Sequence, residues 1–222
     1  MTAGRTNTHQ ISKSWCTPPK YANVIKAFFD DGLELDPCSN EFSVVEAKVK
    51  YMLPENDGLK ESWQYKTIFV NPPYGADRER GTTIKDWIRK CEEAHRLYGS
   101  EVMALIPVAT NTHHWKDYIF GKAASICFLY DTRLKFMIDG VLDEKGAPMS
   151  CAMIYWGENV DRFITLLSPY GAALNVTQPI DASFGENEHE PLDNPKKAYN
   201  YRRKIMTNSI PQSQLSLFAQ KN

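Results

Sequence analysis

Asn71-Pro72-Pro73-Tyr74 is the stretch whose residue types and spacing could do chemistry. The Asn71 side-chain oxygen and the carbonyls of the Pro-Pro backbone are acceptors held in fixed directions, because proline fixes φ and carries no N–H. An exocyclic amine placed against them would donate both of its hydrogens. That draws its nitrogen from planar towards tetrahedral geometry and frees the lone pair to attack an electrophile. Tyr74 offers a flat face on which a base extruded from its helix could stack. The bland alternative is a strand-ending turn with a packing tyrosine. The apolar run directly before Asn71 favours chemistry.

The elements that must position this loop follow from periodicity. Ile68 to Val70 is a short apolar run, read as a buried strand that stops at Asn71. Asn71 would therefore sit at the carboxyl end of a central strand, where open α/β sheets carry their ligands. Further strands are predicted at Leu33–Asp36, Val102–Pro107, Ile126–Tyr130 and Cys151–Trp156. Helices are predicted over Tyr21–Phe29, with Thr17 placed to cap it, and over Ile84–Tyr98, Trp115–Phe120 and Phe163–Leu167. In the second of these, Lys85, Arg89, Lys90 and Arg96 fall mostly on a solvated face. Strands alternating with helices predict an α/β fold with a mostly parallel central sheet. Asp139-Gly140 and Lys145-Gly146 mark turns, and one antiparallel hairpin is expected late in the chain.

Composition bounds the class. The chain has 222 residues, 42% of them hydrophobic and 24% charged, which suits one globular domain with a real core. A formal net charge of −1 excludes a global basic field and leaves room for a local basic groove. Five scattered cysteines, none in Cys-x-x-Cys spacing, read as reduced thiols, and no metal site is expected. No apolar run is long enough to span a membrane, and no signal peptide is read; a cytoplasmic protein is expected.

Asn71-Pro72-Pro73-Tyr74 resembles the catalytic motif of S-adenosylmethionine-dependent amino-methyltransferases, which act on adenine N6, cytosine N4 or protein glutamine. Trp15-x-Thr17-Pro18, Leu35-Asp36-Pro37-Cys38-Ser39 and Asn71-Pro72-Pro73-Tyr74-Gly75, in that order, narrow the resemblance to the phage-type DNA N6-adenine methyltransferases. It runs from about Trp15 to Phe136. It implies a Rossmann-like methyltransferase fold and S-adenosyl-L-methionine as methyl donor. Double-stranded DNA with a flipped adenine would be the substrate, and a DNA-modification role of phage or restriction–modification type follows. Carried over by residue, Asn71 and the Pro72 carbonyl, with Pro73 stiffening the loop, would hold the target amine, and Tyr74 would stack on the base. Thr17 and Pro18 would border the methionine end of the cofactor. Asp36, with Pro37 and Cys38, would contact its polar groups, unless Asp36-Pro37 is only a turn starter. Asp57 would face its adenine or be an ordinary Asp-Gly turn residue. One departure stands out: Asp36-Pro37-Cys38-Ser39-Asn40 contains no glycine where many methyltransferases have a glycine-rich turn, which leaves the ribose-binding acid open, with Glu46 as a guess. The runner-up readings are a protein-glutamine or RNA amino-methyltransferase and a non-catalytic DNA- and clamp-binding accessory protein.

The remaining candidates concern partners. Ala76 to Thr83 is a polar, charged loop, a plain surface loop or a DNA-contacting one through Arg78 and Arg80. Arg133-Leu134-Lys135-Phe136 is an edge strand with exposed bases or a DNA contact through Arg133 and Lys135. Residues 1–13 read as a loose arm, 14–180 as the methyltransferase domain and 181–222 as a polar, disordered tail. Within that tail Gln214-Leu215-Ser216-Leu217-Phe218 resembles the peptide by which bacterial replication and repair proteins dock on the sliding clamp. Gln214, Leu215, Leu217 and Phe218 would carry that contact, and folding back onto the domain is the alternative.

Overall fold

A computed structural model describes residues 15–30 and 32–177. The arm at 1–13, the tail at 181–222 and the clamp-like peptide at 214–218 lie outside the described residues. The elements are α1 (Pro19–Phe28), β1 (Leu35–Asp36), β2 (Val49–Lys50), β3 (Thr67–Val70), α2 (Ile84–Tyr98), β4 (Glu101–Pro107) and α3 (His113–Tyr118). They continue with β5 (Ser125–Leu129), β6 (Met137–Ile138), β7 (Val141–Leu142), β8 (Cys151–Trp156), α4 (Val160–Leu167) and β9 (Gly171–Asn175).

Seven strands form one sheet in the order β2-β1-β3-β4-β8-β5-β9. β2, β1, β3 and β4 run parallel. β8 lies antiparallel between β4 and β5, and β9 pairs antiparallel with β5. The fold is thus mixed α/β, parallel through one half and alternating in direction through the other. That second half holds more antiparallel pairing than one late hairpin supplies. The hairpin itself is β6–β7, a separate two-stranded ladder turned by Asp139 and Gly140 at φ 50° and 79°. Such a turn needs positive φ at both central residues, which Asp-Gly tolerates.

Alternation along the strands builds two cores. Ile68 and Val70 face one side with Val102, Ala104, Ile106, Ile154 and Trp156, packed under Trp87, Ile88 and Cys91 of α2 and Trp115 of α3. Phe69 faces the other side with Met103, Leu105, Met153 and Tyr155, packed under Tyr21, Ile25 and Phe28 of α1 and Phe163 of α4. A one-residue slip in any of these strands would exchange its two faces, so register is strongly fixed. Each large apolar side chain buried this way contributes about 1.5–3 kcal/mol.

Two helix ends differ in kind. Pro18 rather than Thr17 is the N-cap of α1, with Pro19 at the first helical position, and no side chain caps it. Its first N–H groups lose little, because proline has none to satisfy. α2 opens on a capping box in which the Thr83 N–H donates to the Asp86 carboxylate at 2.9 Å, and it closes on left-handed Gly99.

From β1 the chain moves outward to β2, then returns to β3 on the other flank of β1. Loops after β1 and β3 therefore diverge, and a crevice opens between them at the carboxyl edge. The register Leu35↔Ile68 brings Asp36 and Asn71 to that edge together.

Candidate active site

Asn71 follows fully buried Val70 at the end of β3. Its Nδ2 donates to the Trp15 backbone carbonyl at 3.1 Å. A carbonyl accepts only from the nitrogen, so the amide orientation is set and Oδ1 is turned away as an acceptor. The Asn71 backbone N–H faces the Cys38 thiol, whose pKa burial raises well above the ordinary value. Pro72 is buried, and of the four loop residues Pro73 alone lines the neighbouring cavity.

Tyr74 is half-buried. Its hydroxyl donates to the Leu105 carbonyl at 3.1 Å, and burial raises the phenol pKa well above the usual value. The ring stands edge-on to Trp15, with centroids 5.9 Å apart at 86°, and to Phe136, 5.7 Å apart at 80°. Trp15 and Phe136 themselves stack at 4.8 Å and 6°. The Trp15 and Phe136 rings and the Leu105 carbonyl together fix the direction of Tyr74.

A cavity of about 280 Å³ opens beside the loop. Pro37, Cys38, Tyr51, Leu53, Pro73 and Trp87 give it an apolar and aromatic lining. Ser39, Asn40, Asn56 and Arg80 add polar groups at its margin. Size and lining suit a nucleoside, an apolar slot with a few converging polar groups. Of the residues named from sequence as cofactor contacts, Pro37 and Cys38 line this cavity. Asp36 lies just behind them, 4% exposed, with Oδ1 accepting the Cys38 N–H at 3.2 Å. Burial pushes its carboxyl up to about 6, against the opposing pull of the Cys38 N–H and the Ser39 hydroxyl.

Thr17 is 2% exposed, and it and Pro18 do not line that cavity. Their segment is nonetheless tied to the site. The Cys16 thiol donates to Asn40 Oδ1 at 3.0 Å, and Cys16 exchanges backbone hydrogen bonds of 2.9 and 3.0 Å with Met137 of β6. Asp57 also stays off the cavity wall; its neighbours Asn56 and Gly58 are on it. The Asp57 carboxylate accepts the Leu59 N–H at 3.1 Å and Arg80 Nη1 at 3.2 Å. Glu46 is ion-paired with Lys26 at 3.0 Å on the surface and does not line the cavity.

Among the basic candidates, Arg78 is exposed while Arg80 is held in the cavity wall. Residues 132–136 form no strand: Leu134 and Phe136 are buried, and Arg133 and Lys135 alternate with them into solvent. Both bases border a second hollow of about 340 Å³ with Pro18, Lys20 and Asp131.

Sequence reasoning missed Tyr51, Leu53, Asn56, Trp87 and the Trp15 carbonyl. Trp87 carried only a core signal, and a backbone carbonyl carries none. Lys90, placed on a solvated face, instead donates to the carbonyls of Gly58, Leu59 and Glu61 at 3.1, 2.8 and 2.6 Å. It holds the turn that floors the cavity.

The profile of the DNA N-6-adenine-methyltransferase (Dam) family matches residues 5–173. The chain belongs to the DNA N-6-adenine-methyltransferase family. A DNA N-6-adenine-methyltransferase of Haemophilus phage HP1 is 25% identical over 135 residues, covering 60% of this chain and 72% of the phage protein. The family's reaction, methylation of adenine N6 in DNA, decides between the amine substrates that the Asn-Pro-Pro-Tyr loop alone left open. This adenine-N6 methyltransferase has, among its described residues, no helix long and apolar enough to cross a membrane.

Proposed function

We propose that the chain methylates an adenine flipped out of duplex DNA, with S-adenosyl-L-methionine as donor bound in the crevice between β1 and β3. The observation that carries this reading is the Asn71 amide, pinned through Nδ2 to Trp15 so that Oδ1 remains an acceptor, two residues before Pro73 in the wall of a nucleoside-sized cavity. The return of the chain across β1 supports a Rossmann-like methyltransferase arrangement, with ligands at the topological switch point.

The lining fits the donor. Tyr51, Leu53 and Trp87 suit an adenine ring, and Ser39, Asn40 and Asn56 suit ribose hydroxyls. Behind that lining, the carboxylate of Asp36 suits the ammonium of the methionine end. When bound, the donor supplies an electrophilic methyl on a cationic sulfur. Asn71 Oδ1 and the Pro72 carbonyl accept the two N6 hydrogens and orient the nitrogen lone pair for in-line transfer. Alignment is the main demand, since the methyl is already activated. Thr17 and Pro18 shape the loop edge behind Trp15. Tyr74, steadied by Trp15 and Phe136, stacks on the flipped base. Asp57 acts at the adenine end through the turn it anchors. Exposed Arg78, Arg133 and Lys135 are proposed as phosphate contacts.

Calorimetric titration with S-adenosylhomocysteine tests the cavity. Saturable heat is expected; its absence would remove the cofactor assignment. Gln214, Leu215, Leu217 and Phe218 are proposed as a sliding-clamp peptide. Deleting 214–218 should abolish binding to a purified bacterial clamp, and unchanged binding would refute that contact.

A further inference from the structure

Arg80, counted from sequence among the DNA contacts, has a different set of neighbours. Its Nε donates to Asp77 Oδ2 at 3.0 Å and its Nη1 to Asp57 Oδ1 at 3.2 Å. The side chain is only 21% exposed, and those of Asp57 and Asp77 are 13% and 9% exposed. Two carboxylates thus claim a guanidinium that is largely withdrawn from solvent, a poor arrangement for a phosphate contact and a good one for a brace.

What the brace joins is defined on both sides. Asp77 and Thr82 exchange backbone bonds of 2.7 and 3.1 Å, and Asp77 Oδ1 accepts the N–H groups of Glu79 and Arg80 at 3.2 and 3.3 Å. The segment directly after the Asn-Pro-Pro-Tyr loop is therefore a closed turn, with Gly81 at φ 65°. On the other side, Asp57 belongs to the turn whose Gly58 presses on the Pro37 carbonyl, so closely that a Cβ there would lie 1.8 Å from that oxygen. Arg80 spans the two turns and itself forms part of the cavity wall with Pro37, Gly58 and Pro73.

We propose that Arg80 is a positioning residue of the cofactor cavity: by bridging Asp77 and Asp57 it locks the turn after the catalytic loop onto the turn that floors the nucleoside site. Donor binding then depends on one closed unit. This rests on the cofactor-cavity reading above, and the experiment separates the two.

Wild type, Arg80→Ala, Arg80→Lys, Asp57→Asn and the Asp57→Asn/Arg80→Ala double variant are compared by calorimetry with S-adenosylhomocysteine. The same proteins are titrated onto a fluorescent duplex at one fixed salt concentration, and KM for the donor is separated from kcat. Arg80→Ala should weaken S-adenosylhomocysteine binding and raise donor KM about tenfold, roughly the loss of one charge-assisted bridge. Duplex affinity and kcat at saturating donor should stay within about twofold. Lysine, a point charge unable to serve both carboxylates at once, should restore the affinity only in part. The double variant should cost little more than Arg80→Ala alone, because both changes cut one connection. Should the alanine variant not fold, the lysine variant carries the test through its cofactor affinity. Wild-type cofactor affinity in Arg80→Ala, or a loss confined to duplex binding, would overturn the proposal and return Arg80 to the DNA interface. No heat from wild type would instead bring down the cavity reading itself, and the brace with it.

Discussion

Trp15 enters the site through its backbone, and that fact explains what a sequence can and cannot disclose about single residues. Asn71 and Tyr74 were legible because their side chains do the proposed work. The carbonyl that orients Asn71 belongs to a residue 56 positions away and could have been any residue type. Asp36 was legible as a strand-end carboxylate, but not the depth of its burial, which sets its titration. Its carboxyl is raised to about 6 from 3.8, so the folded protein retains that proton where the unfolded chain has lost it. The sign follows: this group's contribution to stability falls as pH rises from about 4 to 6 and is level above that. The ammonium group at the ligand's amino-acid end needs the ionised form, so binding runs the other way. S-adenosylhomocysteine should bind about tenfold more weakly at pH 5 than at pH 7, and Asp36→Asn should flatten that dependence. An equally steep profile in the asparagine variant would show that some other group titrates.

The elements divide by whether their pattern is local. β3, β4 and β8 carry apolar runs that read as strands, and α2 shows its stripe in sequence; its capping box and terminal glycine came with the structure. β9 escaped notice because Gly171-Ala172-Ala173-Leu174-Asn175 has almost no strand-forming side chains. Its pairing is dictated by the β5 edge, where Gly171 lies so close that a Cβ would come within 2.3 Å of the Phe128 carbonyl. The missing glycine after Asp36 has a similar answer. Close approach to that loop is supplied from outside it, by Gly58, held in place by Lys90 from α2. Gly58→Ala should accordingly lower the unfolding free energy by about 1–3 kcal/mol, through overpacking against Pro37 and Trp87. Denaturant unfolding measures it, and S-adenosylhomocysteine affinity should fall in parallel. A stability equal to wild type would mean that the turn relaxes freely and does not floor the cavity.

Across the whole molecule, the near-neutral charge conceals an asymmetry along the carboxyl edge of the sheet. There Arg133 and Lys135 stand out beside Pro18 and the segment that carries Trp15. A sum over 222 residues cannot reveal such a placement; only the fold brings these bases to one hollow with Pro18 and Lys20. If each engages one phosphate, the Arg133→Ala/Lys135→Ala pair should lower the slope of log affinity against log salt by about two. An unchanged slope would place the DNA elsewhere.

The central claim is that Asn71 presents an adenine amine to a methyl donor held between β1 and β3. Transfer of tritiated methyl groups from S-adenosylmethionine to duplex DNA, followed by nucleoside analysis, tests it directly in wild type and Asn71→Ala. Label should appear in N6-methyladenine with wild type. With the alanine variant it should fall by at least about a hundredfold, while S-adenosylhomocysteine binding stays within about threefold. Label in another base or in protein, or transfer that survives the loss of Asn71, would contradict the account.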